Sequence, residues 1–163
     1  MTLASWEAKG WVRKARTHKQ EILELLDNAE CDLMDARREF PPEWRFGLAF
    51  TAALNLCAIY LHASGYQADN ESHFRAIHAL PLILGEDRKA DTDYLETCFM
   101  LHNQKKSDPS ASITSQQASE LVYFVEEFYL QTCEWLRSSD SGLIVNSDFF
   151  PACADVREEG LVL

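Results

Sequence analysis

Hairpin turns are missing from this 163-residue chain: no Asn-Gly or Asp-Gly occurs, and nothing before residue 140 alternates apolar and polar residues long enough to mark a strand. An extended sheet is therefore excluded as the organising element. Cation is scarce as well. Fifteen Lys and Arg stand against twenty-six Asp and Glu, for a net charge of -11. That balance opposes a broad basic surface of the kind that neutralises phosphates along a duplex, and with it a DNA-binding accessory protein. The five cysteines, Cys31, Cys57, Cys98, Cys133 and Cys153, are odd in number, widely spaced and free of any C-x-x-C or Cys/His cluster. Structural zinc and a disulfide framework are disfavoured, and the thiols read as reduced core residues of a cytoplasmic protein. No basic start followed by a long apolar run is present, so no leader is expected. The apolar-rich stretch from Leu48 to Leu61 is short and interrupted by Thr51 and Asn55, so no membrane span is expected either. Glycine-rich phosphate loops, the Gly-x-Ser-x-Gly elbow, His-Glu-x-x-His and the Glu-x-x-His pair of di-metal bundles are all absent.

What the chain has is helical spacing. Ile22, Leu25, Leu26, Ala29, Leu33 and Ala36 step by three and four, which predicts a first long helix starting between residues 4 and 15 and stopped by Pro41 and Pro42. A second helix is predicted from Glu43 to Ala63, closed by Ser64-Gly65, its interior apolar around nearly half the circumference, as suits a central helix. A third runs from Glu71 to Leu84 with Pro81 in its last turn, and a fourth from Lys89 to Gln104. A Ser, Asp and Pro-rich loop follows. Thr114 with Gln117 three residues on has capping-box form and opens a fifth helix to Arg137, with a stripe of Leu121, Phe124, Val125, Phe128, Thr132 and Trp135. The expectation is one all-α domain over residues 1–137, an up-and-down bundle of four to five helices, with an irregular, acidic C-terminal tail over 138–163. Leu143, Ile144, Val145, Phe149 and Phe150 give that tail enough apolar character to dock on the bundle or on a partner subunit, a disordered tail being the opposing reading.

Three segments carry a family likeness. WRFGLAFTAALNLCAIYLHASGYQ from Trp44 to Gln67, HFRAIHALPLILG from His73 to Gly85, and LETCFMLHNQKKS from Leu95 to Ser107 together resemble a stand-alone HEPN domain of the prokaryotic kind. The resemblance spans residues 20–137 and rests most on the second helix, where an aromatic residue, small residues and a closing Gly-Tyr recur in that order. It implies a four- or five-helix bundle, usually dimeric, of the sort found in toxin and antitoxin systems and in ribonucleases. In the active ribonucleases an arginine precedes a histidine by five to seven positions, often with an asparagine after the arginine. The arginine and the asparagine polarise the phosphate while the histidine helps a 2'-hydroxyl attack it. Many non-ribonuclease members carry Arg-Asn and, four residues after the asparagine, a tyrosine.

Here Asn103 fits the asparagine, His102 stands in the arginine's place, and Ser107 stands where histidine or tyrosine belongs. A neutral imidazole offers one donor where a guanidinium offers five in a fixed fork, so bidentate phosphate clamping is lost. Ser107 at neutral pH cannot trade protons as an imidazole can. The chain accordingly reads as a non-catalytic HEPN-like binding or interaction module, a homodimer, with no cofactor and no metal implied. His102, Asn103 and Lys105 are its candidate binding residues, for a nucleotide, RNA or another anion. The plainer alternative is that Asn103 caps a helix end and His102 is a satisfied interhelical histidine. The resemblance also implies a minimal nucleotidyltransferase as a partner. The competing function is a metal-independent ribonuclease toxin with a rearranged site, in which the Lys105 ammonium replaces the missing guanidinium.

Two smaller features complete the inventory. Arg13, Lys14, Arg16 and Lys19, with Lys105 and Lys106, are candidates for a local basic patch, or are solvated charges. His73 and His78 lie five apart and diverge by about 140° on a helix, and adjacent Glu126 and Glu127 diverge too, so neither pair forms a site by itself.

Overall fold

The computed structural model describes residues 1–68 and 73–139. Six α-helices, one 3-10 turn and a two-stranded sheet make up the described residues: α1 (Leu3–Ala8), β1 (Val12–Lys14), α2 (Lys19–Ala36), α3 (Pro42–Ala63), β2 (Tyr66–Ala68), α4 (His73–Leu84), a turn at Glu86–Arg88, α5 (Lys89–Ser107) and α6 (Ser115–Ser138). The expected all-α bundle is the architecture observed. From residue 140 on, the expected tail, with Cys153, lies outside the described residues.

α3 is the axis of the bundle. Pro42 sits in its first turn, where a missing N–H costs nothing, and α2, α4 and α6 pack around it. Phe46, Ala49, Phe50, Ala52, Ala53, Leu56, Cys57, Ile59, Tyr60 and Leu61 are all buried, which requires neighbours on several sides. Ala49, Ala52 and Ala53 let those neighbours approach closely, while Phe46, Leu56 and Tyr60 fill the space between them. By length and composition Pro42–Ala63 is apolar enough to cross a membrane. Its place at the centre of the bundle accounts for that composition.

The flanking helices follow their sequence patterns closely. On α2 the buried set is Ile22, Leu26, Ala29, Leu33 and Ala36, with Leu25 packed at its edge. α6 has the predicted capping box, the Thr114 hydroxyl accepting from Gln117 N–H at 3.1 Å and the Gln117 side chain accepting from Thr114 N–H at 2.9 Å. Pro81 lies inside α4 and cannot donate to the Ile77 carbonyl, and the helix ends one turn later, where Gly85 N–H reaches the Pro81 carbonyl at 2.9 Å.

The amino-terminal segment differs from expectation. The first long helix begins at Lys19, and before it lie the separate helix α1 and the strand β1, which pairs antiparallel with β2: Val12 with Ala68, Arg13 with Gln67 and Lys14 with Tyr66. Gly10, at φ +72°, makes the turn out of α1 that no side-chain-bearing residue adopts cheaply. Trp6 and Val12 are buried against Leu61 and Ala79, so the strand covers the open end of α3 and α4 with its own small apolar cluster. The thiols also differ in one place: Cys57, Cys98 and Cys133 are buried, but Cys31 is exposed on α2.

Long-range polar ties hold α2 and α6 together. Arg37, at the end of α2, donates from Nε to Glu126 Oε1 at 2.6 Å, with side chains 12% and 21% exposed. Tyr129 donates to Glu30 Oε2 at 3.2 Å between the same two helices, while Arg45 Nε on α3 donates to the Ala36 carbonyl at the end of α2 at 2.9 Å. Glu126 is thus a structural carboxylate, paired with Arg37.

Candidate functional site

His102, Asn103 and Lys105 all lie on the last turns of α5, which continues three residues past Gln104 to Ser107. The continuation changes what each can do. Asn103 does not cap the helix: it sits inside it with an exposed side chain, and its carbonyl accepts from Ser107 Oγ at 3.1 Å. The helix end is closed instead by Asp108 N–H on the Gln104 carbonyl at 2.8 Å and by the Lys105 ammonium, which donates to the carbonyls of Ala111 at 2.7 Å and Pro109 at 3.3 Å. A cation bonding carbonyls beyond the last turn is the favourable arrangement at a helix C-terminus. Asp108 fastens the same turn, accepting from Ser110 Oγ at 2.6 Å and Ser110 N–H at 3.0 Å, which holds its carboxyl below the usual range.

His102 turns inward. Its ring centroid lies 5.1 Å from that of Phe50 on α3, and Phe50 in turn meets Phe99 at 6.3 Å. Half-burial, and then the nearby Lys106 ammonium, lower the imidazole below its ordinary pKa. The ring is therefore neutral at neutral pH and cannot supply the positive charge of an arginine.

The three candidates do not converge. At about 100° per residue, His102 and Lys105 stand about 60° apart around the helix, while Asn103 is about 100° from His102 and about 160° from Lys105. A ligand bridging all three within one copy would have to wrap the helix. Ser107, in the position of the family's histidine or tyrosine, spends its hydroxyl on the carbonyls of Asn103 and Gln104.

Elsewhere, His78 on α4 approaches Glu96 on α5 at 3.6 Å, beyond hydrogen-bond reach and attractive only when the imidazole is protonated. No group of three or more metal-ligating side chains occurs among the described residues. The surface feature that sequence reasoning missed is an apolar groove of about 510 Å³ between α5 and α6, lined by Tyr94, Ser119, Glu120, Tyr123 and Phe124. Tyr94 and Phe124 touch at 4.7 Å across it, and Tyr123 stands 68% exposed on its rim. Tyr123 falls off the α6 stripe, and an aromatic residue off the stripe was the available signal. No protein-family description, no curated protein and no solved structure matches this chain.

Proposed function

We propose that this chain is a HEPN-like helical binding module that does not cleave RNA and works as a homodimer. The observation that carries the non-catalytic part is the commitment of the signature residues to structure: His102 packs on Phe50, Lys105 bonds two loop carbonyls, Ser107 bonds its own helix, and Asn103 points away from both His102 and Lys105. Metal-independent RNA cleavage needs a base for the attacking 2'-hydroxyl, an acid for the leaving oxygen and a phosphate clamp, all gathered around one phosphate. The signature residues of a single copy do not bring such a set together.

The groove between α5 and α6 supports the binding part. An exposed aromatic residue beside an apolar groove is what interfaces use as an anchor, and Tyr123 supplies one, beside the half-buried Tyr94 and Phe124 rings. A second copy is the occupant this reading assigns to it. A minimal nucleotidyltransferase is the partner that the family likeness suggests for the assembled dimer.

Labelled single-stranded RNA incubated with the purified chain, with and without chelator, tests the reading. The expected result is no cleavage above the buffer rate. Cleavage that disappears in His102→Ala would establish the rearranged ribonuclease site instead.

A further inference from the structure

The run from Lys9 to Lys19 gathers five of the fifteen Lys and Arg residues of a chain whose net charge is -11, with no acidic residue between Glu7 and Glu21. Folding gives three members of the local cationic group a packing task. Lys9 and Arg75 lie over the Trp11 ring at 4.5 and 4.2 Å, and Arg13 donates to Gln67 Oε1 across the strand pair at 3.2 Å. Lys14 and Arg16 are different. The Lys14 side chain is 73% exposed and reaches Glu7 only at 3.9 Å, and Arg16 is exposed without an ion pair among the described residues.

Both line one concavity. β1 pairs Lys14 with Tyr66, Ala15 N–H donates to the Gly65 carbonyl at 2.9 Å, and Thr17 Oγ1 donates to the His62 carbonyl at 2.7 Å. These ties press the Lys14 to Thr17 segment against the end of α3 and leave a pocket of about 440 Å³ walled by Lys14, Ala15, Arg16, Ser64, Gly65 and Tyr66. A helix C-terminus ordinarily repels anions through its bare carbonyls. Here the carbonyls of Tyr60, Leu61, His62 and Gly65 are already taken, by Ser64 N–H, Gly65 N–H, Thr17 and Ala15. Gly65, at φ +85°, turns the chain at the mouth, and a Cβ there would meet nothing within 4 Å, so the mouth is open space.

We propose that this pocket binds a phosphate group. Lys14 and Arg16 would supply charge-assisted donors, the Tyr66 phenol a third polar contact, and the Tyr66 ring a surface for the organic part of a phosphate ester. Lys14, paired only with Glu7 at 3.9 Å, and Arg16 are two like charges on the wall of one pocket, and an oxyanion between them is attracted to both. The site is separate from the signature residues: Phe50, which touches His102, and Ser64 lie about 21 Å apart along α3 at about 1.5 Å per residue. It stands whether or not the chain is a HEPN-like dimer.

The phosphate could belong to a soluble ester or to a lipid headgroup, and the test separates them. Pyrophosphate is titrated into the isotope-labelled full chain at low salt while amide shifts are followed by NMR, and co-sedimentation is measured with phosphatidylglycerol and phosphatidylcholine vesicles. Saturable shifts centred on Lys14, Ala15, Arg16, Gly65 and Tyr66 are expected, weakened about tenfold or more in Lys14→Gln with Arg16→Gln, and unchanged in Lys106→Gln. Pyrophosphate binding without vesicle binding assigns a soluble ester. Vesicle binding that needs phosphatidylglycerol and is lost in the double variant assigns a headgroup. The proposal is overturned if no shift at these residues appears by about 10 mM, a free energy too small for a specific site. It is overturned equally if the double variant, folded by its unchanged remaining spectrum, binds as the parent does.

Discussion

Replacing Arg37 by Met should destabilise the chain by about 2 kcal/mol, and the reason lies in where the charge is left. Exposed ion pairs contribute about 0.2–1 kcal/mol, whereas breaking a fully buried pair costs about 3–5 kcal/mol because the remaining charge is uncompensated. With Arg37 12% and Glu126 21% exposed at 2.6 Å, the α2–α6 pair falls between these limits. Arg37→Met leaves the Glu126 carboxylate against α2 without its guanidinium, and Glu126→Leu takes the carboxylate away from the guanidinium. The double variant strands neither and should cost less than the sum of the two, with a coupling of about 1.5 kcal/mol. Urea unfolding followed by far-UV circular dichroism measures this directly, and for a domain of this size 2 kcal/mol corresponds to a fall in Tm of about 6 °C. Single-variant losses that simply add, with coupling below about 0.5 kcal/mol, would show that the pair behaves as a surface contact and contributes little to holding α2 on α6.

Two further outcomes follow from the same structure. Leu56→Ala, at a fully buried position in the middle of α3, should cost about 3–4 kcal/mol by urea unfolding, since packing on several sides leaves little room to collapse into the cavity; a loss below about 1 kcal/mol would remove α3 from the centre of the core. Stability should also fall on mild acidification. Burial lowers both His62 and His102 below the ordinary 6.5, so the unfolded chain takes up protons first: their contribution is fully present above pH 6.5 and is lost as pH falls below it. Glu30 and Asp32, raised by burial, act in the opposite sense at lower pH, where the folded chain holds the proton more tightly. The urea midpoint should therefore drop between pH 7.5 and 5.5 in the parent and change less in His62→Gln with His102→Gln; equal slopes in the two would refute the assignment.

The helices were legible because their stripes are long. α2, α3 and α6 each repeat apolar residues over four turns or more, and the α6 capping box is a local motif that needs no tertiary partner. β1 and β2 were not legible, since three residues cannot display an alternation and their pairing joins segments 54 residues apart in sequence. The start of α2 was misread for a related reason: the polar run before Lys19 has no periodicity of either kind. The end of α5 was misplaced because Asn103 looks like a terminator, yet the helix runs on to Ser107, with Asp108 N–H on the Gln104 carbonyl and the Lys105 ammonium holding the loop that follows. That single displacement decides the site. An asparagine at a helix end could share a ligand with its neighbours, whereas one inside the helix faces away from them.

The mass of the purified chain in solution, by light scattering at micromolar concentration, bears most directly on the homodimeric module. Twice the 18.6 kDa of one chain is expected, reverting to a single chain in Tyr123→Glu, which puts a charge on the rim of the α5–α6 groove. A mass of 18.6 kDa for the unaltered chain at that concentration would contradict it.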